Sequence, residues 1–291
     1  RQADKYKVPR VCFINKLDRT GASFEHSFET ILDRLTPNAV RMQLPIGLEE
    51  NFSGIVNLLD KKAFKFEGEF GETITETDLP PEMMKEVEKF RAELVEKIVE
   101  GDNNLMERYL GGEEIPLEEL RKALRKAVIS YKIIPVFCGS ALKNKGVQFI
   151  LDAVVDYLPA PIDLPPVVGR DPKTNEEIVV HAADNEPLAA IAFKLQSDPF
   201  VGQLIFFRVY SGTLSAGSYV LNTSTGNKER VGRILRIHAN SREDIKEAQA
   251  GDIAAIVGLK GTRTGNTLCA PERPIILESI IFPEPVVSLR V

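Results

Sequence analysis

Three polar residues, Asn15, Lys16 and Asp18, follow directly after an apolar run that begins at Val8. A carboxylate accepts two parallel hydrogen bonds from a planar group with two adjacent N–H donors, and guanine presents such a pair at N1 and N2. Adenine has an acceptor at N1 and no amine at C2, so Asp18 would favour guanine over adenine. Asn15 can reach N7 and brace the loop, and the aliphatic stem of Lys16 can lie on the purine. These residues predict recognition of a guanine base.

A second loop of the same kind lies far downstream. The apolar run at residues 133–138 ends in Gly139, followed by Ser140, Ala141 and Leu142. Apolar runs bounded by turn signals predict buried strands of a parallel sheet, and ligands bind beyond the carboxyl ends of such strands. The Ala141 N–H can donate to guanine O6, which adenine lacks. Asn15, Lys16 and Asp18 alone are equally consistent with an ordinary polar turn after a strand. The presence of the second loop favours a base-binding site.

The composition of the chain is that of an ordinary globular protein. Its 291 residues are 43% hydrophobic and 27% charged, with a formal net charge of -5, which gives no overall signature of nucleic-acid binding. The three cysteines are widely spaced and the three histidines lack metal-ligand spacing, so we expect reduced thiols in a cytoplasmic protein and no metal site. No signal peptide or membrane span is visible.

Residues 36–131 change character from the flanking segments. Short strand candidates come first, and charged amphipathic helices follow, which predicts an α+β insert. The many acidic side chains of its helices are either a solvated face or a surface that docks a partner. After the second loop, apolar residues at 147, 150, 151, 154, 155 and 158 predict a helix that packs on the sheet. The proline-rich residues 159–166 then indicate a domain boundary.

Beyond this linker the apolar period becomes two, and short strand candidates alternate with glycine-containing turns. This pattern predicts a β-barrel. Basic residues cluster on and after one of its strands. They form either a charge-balanced edge or a phosphate-contacting surface, and they are Lys228, Arg230, Arg233, Arg236 and Arg242.

Several longer motifs now resemble one family. The chain is similar to the middle of elongation factor G, a family of translational GTPases, and the similarity covers essentially its whole length. The Asn-Lys-x-Asp pattern is the guanine-specificity motif of GTP-binding proteins. The motifs that carry the resemblance include Phe-Ile-Asn-Lys-Leu-Asp-Arg-Thr-Gly-Ala, Gln-Leu-Pro-Ile-Gly, Cys-Gly-Ser-Ala-Leu-Lys-Asn-Lys-Gly-Val, Asp-Pro-Phe-Val-Gly and Phe-Phe-Arg-Val-Tyr-Ser-Gly-Thr-Leu.

The resemblance implies a multidomain fold of α/β plus all-β parts. Residues 1–35 and 132–161 would form the carboxyl-terminal part of a P-loop-type GTPase domain, and residues 36–131 its inserted α+β subdomain. Residues 162–281 would form the translation-factor β-barrel, and residues 282–291 would begin a further domain. In this family the insert faces the stalk protein of the large ribosomal subunit, and the barrel contacts ribosomal RNA and protein of the small subunit.

The resemblance also implies GTP or GDP as ligand, with Mg²⁺ in the parent protein. The sequence contains no G-x-x-x-x-G-K-[ST] motif, so it provides no phosphate cradle and no hydroxyl ligand for Mg²⁺. It begins with Arg rather than Met, and we expect a piece of a longer protein, for which an organellar location stays open. The parent would hydrolyse GTP to drive movement of tRNA and mRNA, whereas this chain alone would hydrolyse nothing and holds no catalytic residue. The alternatives are another translational GTPase, or a ribosome-binding scaffold without a nucleotide site.

Overall fold

A computed structural model of the protein describes residues 2–68, 70–198, 202–239 and 241–277. The chain divides into two compact units, Arg1–Pro159 and Ala160–Val291. The division lies at the proline-rich stretch that the sequence identifies as a linker. The further domain that the sequence predicts from residue 282 lies outside the described residues.

The first unit mixes helices with parallel and antiparallel strands. In chain order its elements are α1 (Gln2–Lys5), β1 (Cys12–Ile14), α2 (Phe24–Arg34), β2 (Ala39–Arg41), β3 (Gln43–Ile46), β4 (Gly54–Asn57), β5 (Lys62–Glu67), β6 (Thr73–Thr77), α3 (Met84–Val99), α4 (Asn103–Leu110), α5 (Leu117–Ile129), β7 (Ile134–Cys138) and α6 (Val147–Tyr157). Short 3-10 helices occur at Glu49–Asn51 and Pro81–Met83.

The parallel sheet of this unit is built on β7, whose residues are all buried. Strand β1 pairs with one edge of β7 and β2 pairs with the other, both in parallel. In the β1–β7 pair, Cys12 lies opposite Val136 and Ile14 lies opposite Cys138. This register brings the carboxyl ends of β1 and β7 to the same edge of the sheet, so the loops that follow them start side by side.

Strand β2 lies within the segment that the sequence assigns to the insert, yet Ala39 pairs with Ile134 and Arg41 with Val136. The boundary predicted at residue 35 is therefore corrected, because the parallel sheet continues to Arg41. The apolar stretch at residues 40–46 resembles one strand in the sequence. In the structure the chain leaves the parallel sheet at Met42, whose N–H donates to the Val136 carbonyl at 3.0 Å, and β3 then pairs antiparallel with β4.

Between β2 and β7 the chain forms an antiparallel sheet, in the order β3-β4-β5-β6, and the helices α3, α4 and α5. Helix α3 buries Phe90 and Leu94, and α5 buries Leu120 and Leu124, each pair at the four-residue spacing that defines one helical face. These side chains share one hydrophobic core with the parallel sheet. The intervening segment and the sheet therefore pack as parts of the same unit.

Helix α6 differs from its predicted orientation. The structure buries Ala153 and Tyr157, whereas Leu151 is 61% exposed and Val155 is 77% exposed. Residues 151 and 153 are roughly 200° apart around a helix, so the two pairs lie on different faces. The prediction that Leu151 and Val155 pack on the sheet is thus wrong. The apolar spacing predicted a single face, and the fully buried residues of the helix, Ala153 and Tyr157, lie on another one.

The second unit is made of strands. Its elements are β8 (Val167–Arg170), β9 (Glu177–Val180), β10 (Ala189–Asp198), β11 (Gly202–Ser211), β12 (Leu214–Ser215), β13 (Tyr219–Asn222), β14 (Asn227–Arg230), β15 (Arg233–His238), β16 (Ser241–Ile245), β17 (Glu247–Ala248), β18 (Ile253–Val257) and β19 (Thr267–Cys269), with a 3-10 helix at Pro161–Asp163.

The largest sheet of the second unit is antiparallel and runs in the order β14-β13-β19-β10-β11-β18-β15-β16. Strands β8 and β9 form a separate hairpin, and β12 pairs with β17. Alternate residues of β11, including Ile205, Phe207 and Val209, enter a hydrophobic core together with Leu214 and Ile256. The period-two pattern of the sequence corresponds to this one-sided burial.

The described residues contain neither a membrane-spanning helix nor a cluster of metal-binding side chains. None of their helices is long and apolar enough to cross a membrane. The same residues contain no group of three or more His, Cys, Asp and Glu side chains that could hold a metal ion.

Candidate functional site

The residues after β1 and β7 form two loops that are joined through their backbones. The Gly139 N–H donates to the Ile14 carbonyl at 3.0 Å, and the Leu17 N–H donates to the Gly139 carbonyl at 3.1 Å. These bonds continue the β1–β7 ladder beyond the strand ends. Leu17 is 1% exposed and anchors the first loop in the core, while Asn15 and Lys16, which lie between Ile14 and Leu17 in the chain, are exposed. The structure thus brings the two predicted loops together.

The side chain of Asn15 links the two loops. Its Oδ1 accepts the Lys16 N–H at 2.8 Å and the Ala141 N–H at 2.9 Å. One side-chain oxygen therefore fixes its own turn and holds the second loop against it. The Nδ2 group has no acceptor among the described residues, so it is free to donate to an atom such as a purine N7.

Lys16 lies in the left-handed region, with φ at +66°. This conformation is uncommon for a residue with a Cβ atom and is found in tight turns and binding loops. The Lys16 carbonyl accepts the Arg19 N–H at 3.1 Å and closes the turn. Its side chain is exposed, which leaves the aliphatic stem available to a planar ligand.

Asp18 occupies this turn between the buried Leu17 and the exposed Arg19. Its carboxylate is half-buried and makes no hydrogen bond or ion pair with any other residue that the structure describes. A partly exposed carboxylate without a protein donor keeps its acceptor positions for water or for a ligand. Two adjacent donors on a ligand, as in the N1 and N2 edge of guanine, fit this group.

Ser140 shapes the second loop from within. It is fully buried, and its backbone exchanges hydrogen bonds with Lys145, at 2.8 Å and 2.9 Å. Its Oγ accepts the Lys143 N–H at 3.3 Å. Gly146 follows in the left-handed region at φ +84°, where a Cβ atom would lie 2.5 Å from the Cys138 carbonyl oxygen. Ser140 therefore acts on the loop backbone, and Leu142, at 78% exposure, lies at its outer edge.

The structure modifies the role predicted for Ala141. Its N–H was expected to donate to guanine O6, yet this N–H already donates to Asn15 Oδ1. A bond to O6 would have to be bifurcated, or O6 would take the neighbouring Leu142 N–H, which has no acceptor among the described residues. The sequence could not show this competition, because the two groups are 126 residues apart.

The thiols near this edge are not reactive groups. Cys12 and Cys138 are free cysteines on paired strands. Burial raises the pKa of the Cys138 thiol far above its usual range. Burial also raises the pKa of Cys12, although Arg10 opposes the increase. Both side chains therefore stay protonated and act as apolar packing residues.

Sequence reasoning missed one residue beside the loops. The Glu49 N–H donates to the Leu17 carbonyl at 2.8 Å, and its Oε1 accepts the Gly21 N–H at 2.7 Å. Glu49 begins a short 3-10 helix in the turn between β3 and β4 and has a left-handed φ of +55°. Neither its residue type nor its spacing in the sequence distinguishes it from the adjacent Glu50.

The sequence matches two families of protein domains. The sequence matches the model of the elongation factor Tu GTP binding domain over residues 1–160, which is more than half of its 291 residues. The chain belongs to this family. A second model, elongation factor Tu domain 2, matches residues 202–269. The two matches place the chain in the translational GTPase family, with a GTP-binding domain followed by a β-barrel-like second domain.

A solved crystal structure of a protein from Thermus thermophilus resembles this translational GTPase chain, with a TM-score of 0.78 at 27% sequence identity. The similarity covers 98% of this chain and 40% of the other protein chain. The present chain thus spans 40% of the length of that relative.

In the second unit of the chain, most of the arginine cluster is neutralised. Arg233 lies 3.6 Å from Asp244, Arg236 lies 3.8 Å from Glu243, and Arg242 forms an ion pair with the buried Asp198. The β15–β16 register places Arg236 directly opposite Glu243. Of the two interpretations of the cluster, this arrangement favours a charge-balanced edge for β15 and β16.

Strand β14 differs from the charge-balanced edge. Lys228 and Arg230 are exposed and have no acidic partner among the described residues. Between them, the Glu229 carboxylate accepts the Lys260 and Gly261 N–H groups, each at 2.9 Å. Burial raises the pKa of Glu229, but these donors and the Thr262 hydroxyl, at 2.8 Å, outweigh it and hold the pKa below its usual value.

Proposed function

We propose that the two loops bind the base of a guanine nucleotide. Asp18 accepts the N1–H and the N2 amine, Asn15 donates from Nδ2 to N7, and the stem of Lys16 lies on the ring. The second loop supplies the donor for O6, from Ala141 or Leu142, and Ser140 holds this loop in shape. The observation that carries the proposal is the unpartnered Asp18 carboxylate, among the residues described, beside a loop pair locked by Asn15.

We further propose that the chain is part of a ribosomal translocase of the elongation factor G type, which couples GTP hydrolysis to movement of tRNA and mRNA. The antiparallel sheet and the helices between β2 and β7 support this assignment, because the resembling family carries an insert at this place. So does the Arg-Thr-Gly-Ala sequence after Asp18. The proposed partner is the ribosome, reached through the stalk protein by the insert and through ribosomal RNA and small-subunit protein by the second unit.

We propose that residues 1–291 contact only the base of the nucleotide and that other parts of the parent protein contact the phosphates. Phosphoryl transfer depends on a backbone cradle, a lysine and a Mg²⁺ ion that hold the phosphates. The sequence has no phosphate-loop motif. In this proposal residues 1–291 bind the base, and the groups that hold the phosphates and Mg²⁺ belong to the parent protein.

Calorimetric titration of the purified chain tests the base site. GDP should bind and ADP should not. Asp18→Asn should lower the affinity for GDP about 100-fold, since the N2 amine loses its acceptor and faces the Asn NH2 group, and N1–H keeps only an uncharged acceptor. The same variant should gain affinity for xanthosine diphosphate, because the Asn amide donates to the xanthine 2-carbonyl while its oxygen accepts N1–H. Asp33→Asn, on helix α2, is the matched control and should bind GDP like the wild type.

A chain that ignores GDP yet binds ribosomes would contradict the base site and support the alternative of a ribosome-binding scaffold. Comparison with intact ribosomes and with ribosomes stripped of the stalk protein then tests the partner assignment. The insert predicts weaker binding to the stripped particles.

A further inference from the structure

We infer that Glu49 is a positioning residue for Asp18, and that the turn at residues 47–53 controls how strictly the site selects guanine. This inference rests on the proposed guanine site. Glu49 does not contact the base in this scheme. It acts on the backbone on both sides of the residue that does.

The contacts of Glu49 bracket the Asp18 turn. Its N–H donates to the carbonyl of Leu17, the residue before Asp18, at 2.8 Å. Its Oε1 accepts the N–H of Gly21, three residues after Asp18, at 2.7 Å. The local turn bonds, Arg19 N–H to Lys16 and Ala22 N–H to Arg19, do not reach outside the loop. Glu49 thus fixes both ends of the Asp18 turn to a separate part of the structure.

The backbone of the 47–53 turn is shaped for these contacts. Glu49 has a φ of +55°, which L side chains rarely adopt. Gly47, at φ +74°, has no room for a side chain, because a Cβ atom would lie 2.1 Å from the Asn51 carbonyl oxygen. An unfavourable conformation that persists at one residue indicates that surrounding contacts hold it, and such residues concentrate at binding sites. In this conformation both the N–H and the carboxylate of Glu49 bond to the loop that carries Asp18.

The same turn also holds the second loop. The Lys145 Nζ donates to the Phe52 carbonyl at 2.8 Å, and its charge lies 5.8 Å from the centre of the Phe52 ring. Phe52 is 2% exposed, so this contact attaches the second loop to a core residue. Lys145 in turn pairs with Ser140 through its backbone. One turn of the insert therefore fastens both base-reading loops, and Glu49 is its contact with the loop of Asp18.

The consequence is measurable as base selectivity. The bond between Asp18 and the C2 amine separates guanine from hypoxanthine, which is the same ring without that amine. A carboxylate that is held in place increases the affinity for a base that carries the amine. A carboxylate on a loose loop increases this affinity less. The ratio of affinities for GDP and inosine diphosphate thus reports the position of Asp18. A change that only lowers the overall stability of the fold would leave this ratio unchanged.

The experiment measures both affinities by calorimetry for the complete 291-residue chain and three variants. Glu49→Ala should reduce the preference for GDP about fivefold, less than the roughly tenfold or more expected for complete loss of the bond between Asp18 and the amine, because the carboxylate is still present on a looser turn. Glu49→Gln keeps an acceptor oxygen for Gly21 and should stay within about twofold of the wild type. Glu50→Ala changes an exposed neighbour in the same turn and should have no effect.

Amide hydrogen exchange of Gly21 in the unliganded chain gives a second readout, which should accelerate in Glu49→Ala and stay slow in Glu50→Ala. A folded Glu49→Ala variant with wild-type selectivity and wild-type Gly21 exchange would overturn the inference and leave the base site intact. If the wild-type chain binds neither nucleotide, the proposed function fails, and the role of Glu49 fails with it.

Discussion

The side-chain oxygen of Asn15 lies 2.9 Å from the amide nitrogen of Ala141, although 126 residues separate the two in the chain. The parallel pairing of β1 with β7 makes this contact possible, because it brings the ends of both strands to one edge. The contact also divides the functions of the Asn15 amide. Its oxygen is used inside the protein, and its nitrogen remains for a ligand.

This division predicts different outcomes for two substitutions at residue 15. Asn15→Asp keeps an oxygen acceptor for the Lys16 and Ala141 N–H groups and loses the Nδ2 donor. Asn15→Ala loses both. Binding of GDP should fall about tenfold or more in each variant, while fast exchange of the Ala141 amide should appear only in Asn15→Ala. Equal exchange rates in the two variants would contradict the bracing role of the oxygen.

Gly146 should tolerate no side chain. Gly146→Ala combines a left-handed φ of +84° with a Cβ atom 2.5 Å from the Cys138 carbonyl oxygen. Gly112 has a similar φ of +79° and open space around it, so Gly112→Ala is a control for conformation alone. We expect the control to cost about 1–2 kcal/mol of unfolding free energy. Gly146→Ala should cost more, since the loop must also move.

Urea unfolding followed by circular dichroism measures this difference, because the chain has no tryptophan for fluorescence. Calorimetry of the same variants with GDP should show weaker binding for Gly146→Ala alone. Equal stability of the two variants would mean that the second loop adapts without strain.

Glu229 should make the second unit sensitive to acid. Its folded pKa is lowered, so the carboxylate stabilises the folded state above its unfolded pKa of about 4.3. This contribution is lost as the pH falls through the lower, folded value. Glu229→Gln should therefore destabilise the second unit at pH 7 by about 1 kcal/mol and flatten the decline in stability between about pH 5 and pH 3.

Thermal unfolding followed by circular dichroism across this pH range tests the prediction. Glu247→Gln, an exposed change on β17, is the control and should follow the wild-type curve. A Glu229→Gln curve with the wild-type slope in acid would show that the carboxylate does not carry the effect.

The sequence located the two strands and the loops of the candidate site because long apolar runs with polar ends are local signals. The sequence did not predict which helical face is buried or which charges pair, because both depend on how the folded elements pack and pair. Leu151 and Val155 have the spacing of a buried helical face, but Ala153 and Tyr157 take the interior. Similarly, the basic residues of β15 form a cluster in the sequence, and only the strand register shows Glu243 opposite Arg236.

Glu49 illustrates a different limit. Its importance comes from a left-handed backbone conformation and from contacts to Leu17 and Gly21, 28 residues away in the second case. Glutamate has no preference for that conformation, so propensity gives no indication of it. The same holds for the bond from the Ala141 N–H to Asn15 Oδ1, whose partners are 126 residues apart in the sequence.

The separation of Asn15 and Ala141 has a consequence for synthesis. A ribosome adds about 5–20 residues per second, so Asn15 is made roughly 6–25 s before Ala141, which follows it by 126 residues. During this interval β1 has no β7 to pair with, and the Asn15 oxygen has no second loop to hold. The pair of loops can therefore close only after the whole intervening segment has left the ribosome, which makes its assembly a late event in the life of the nascent chain.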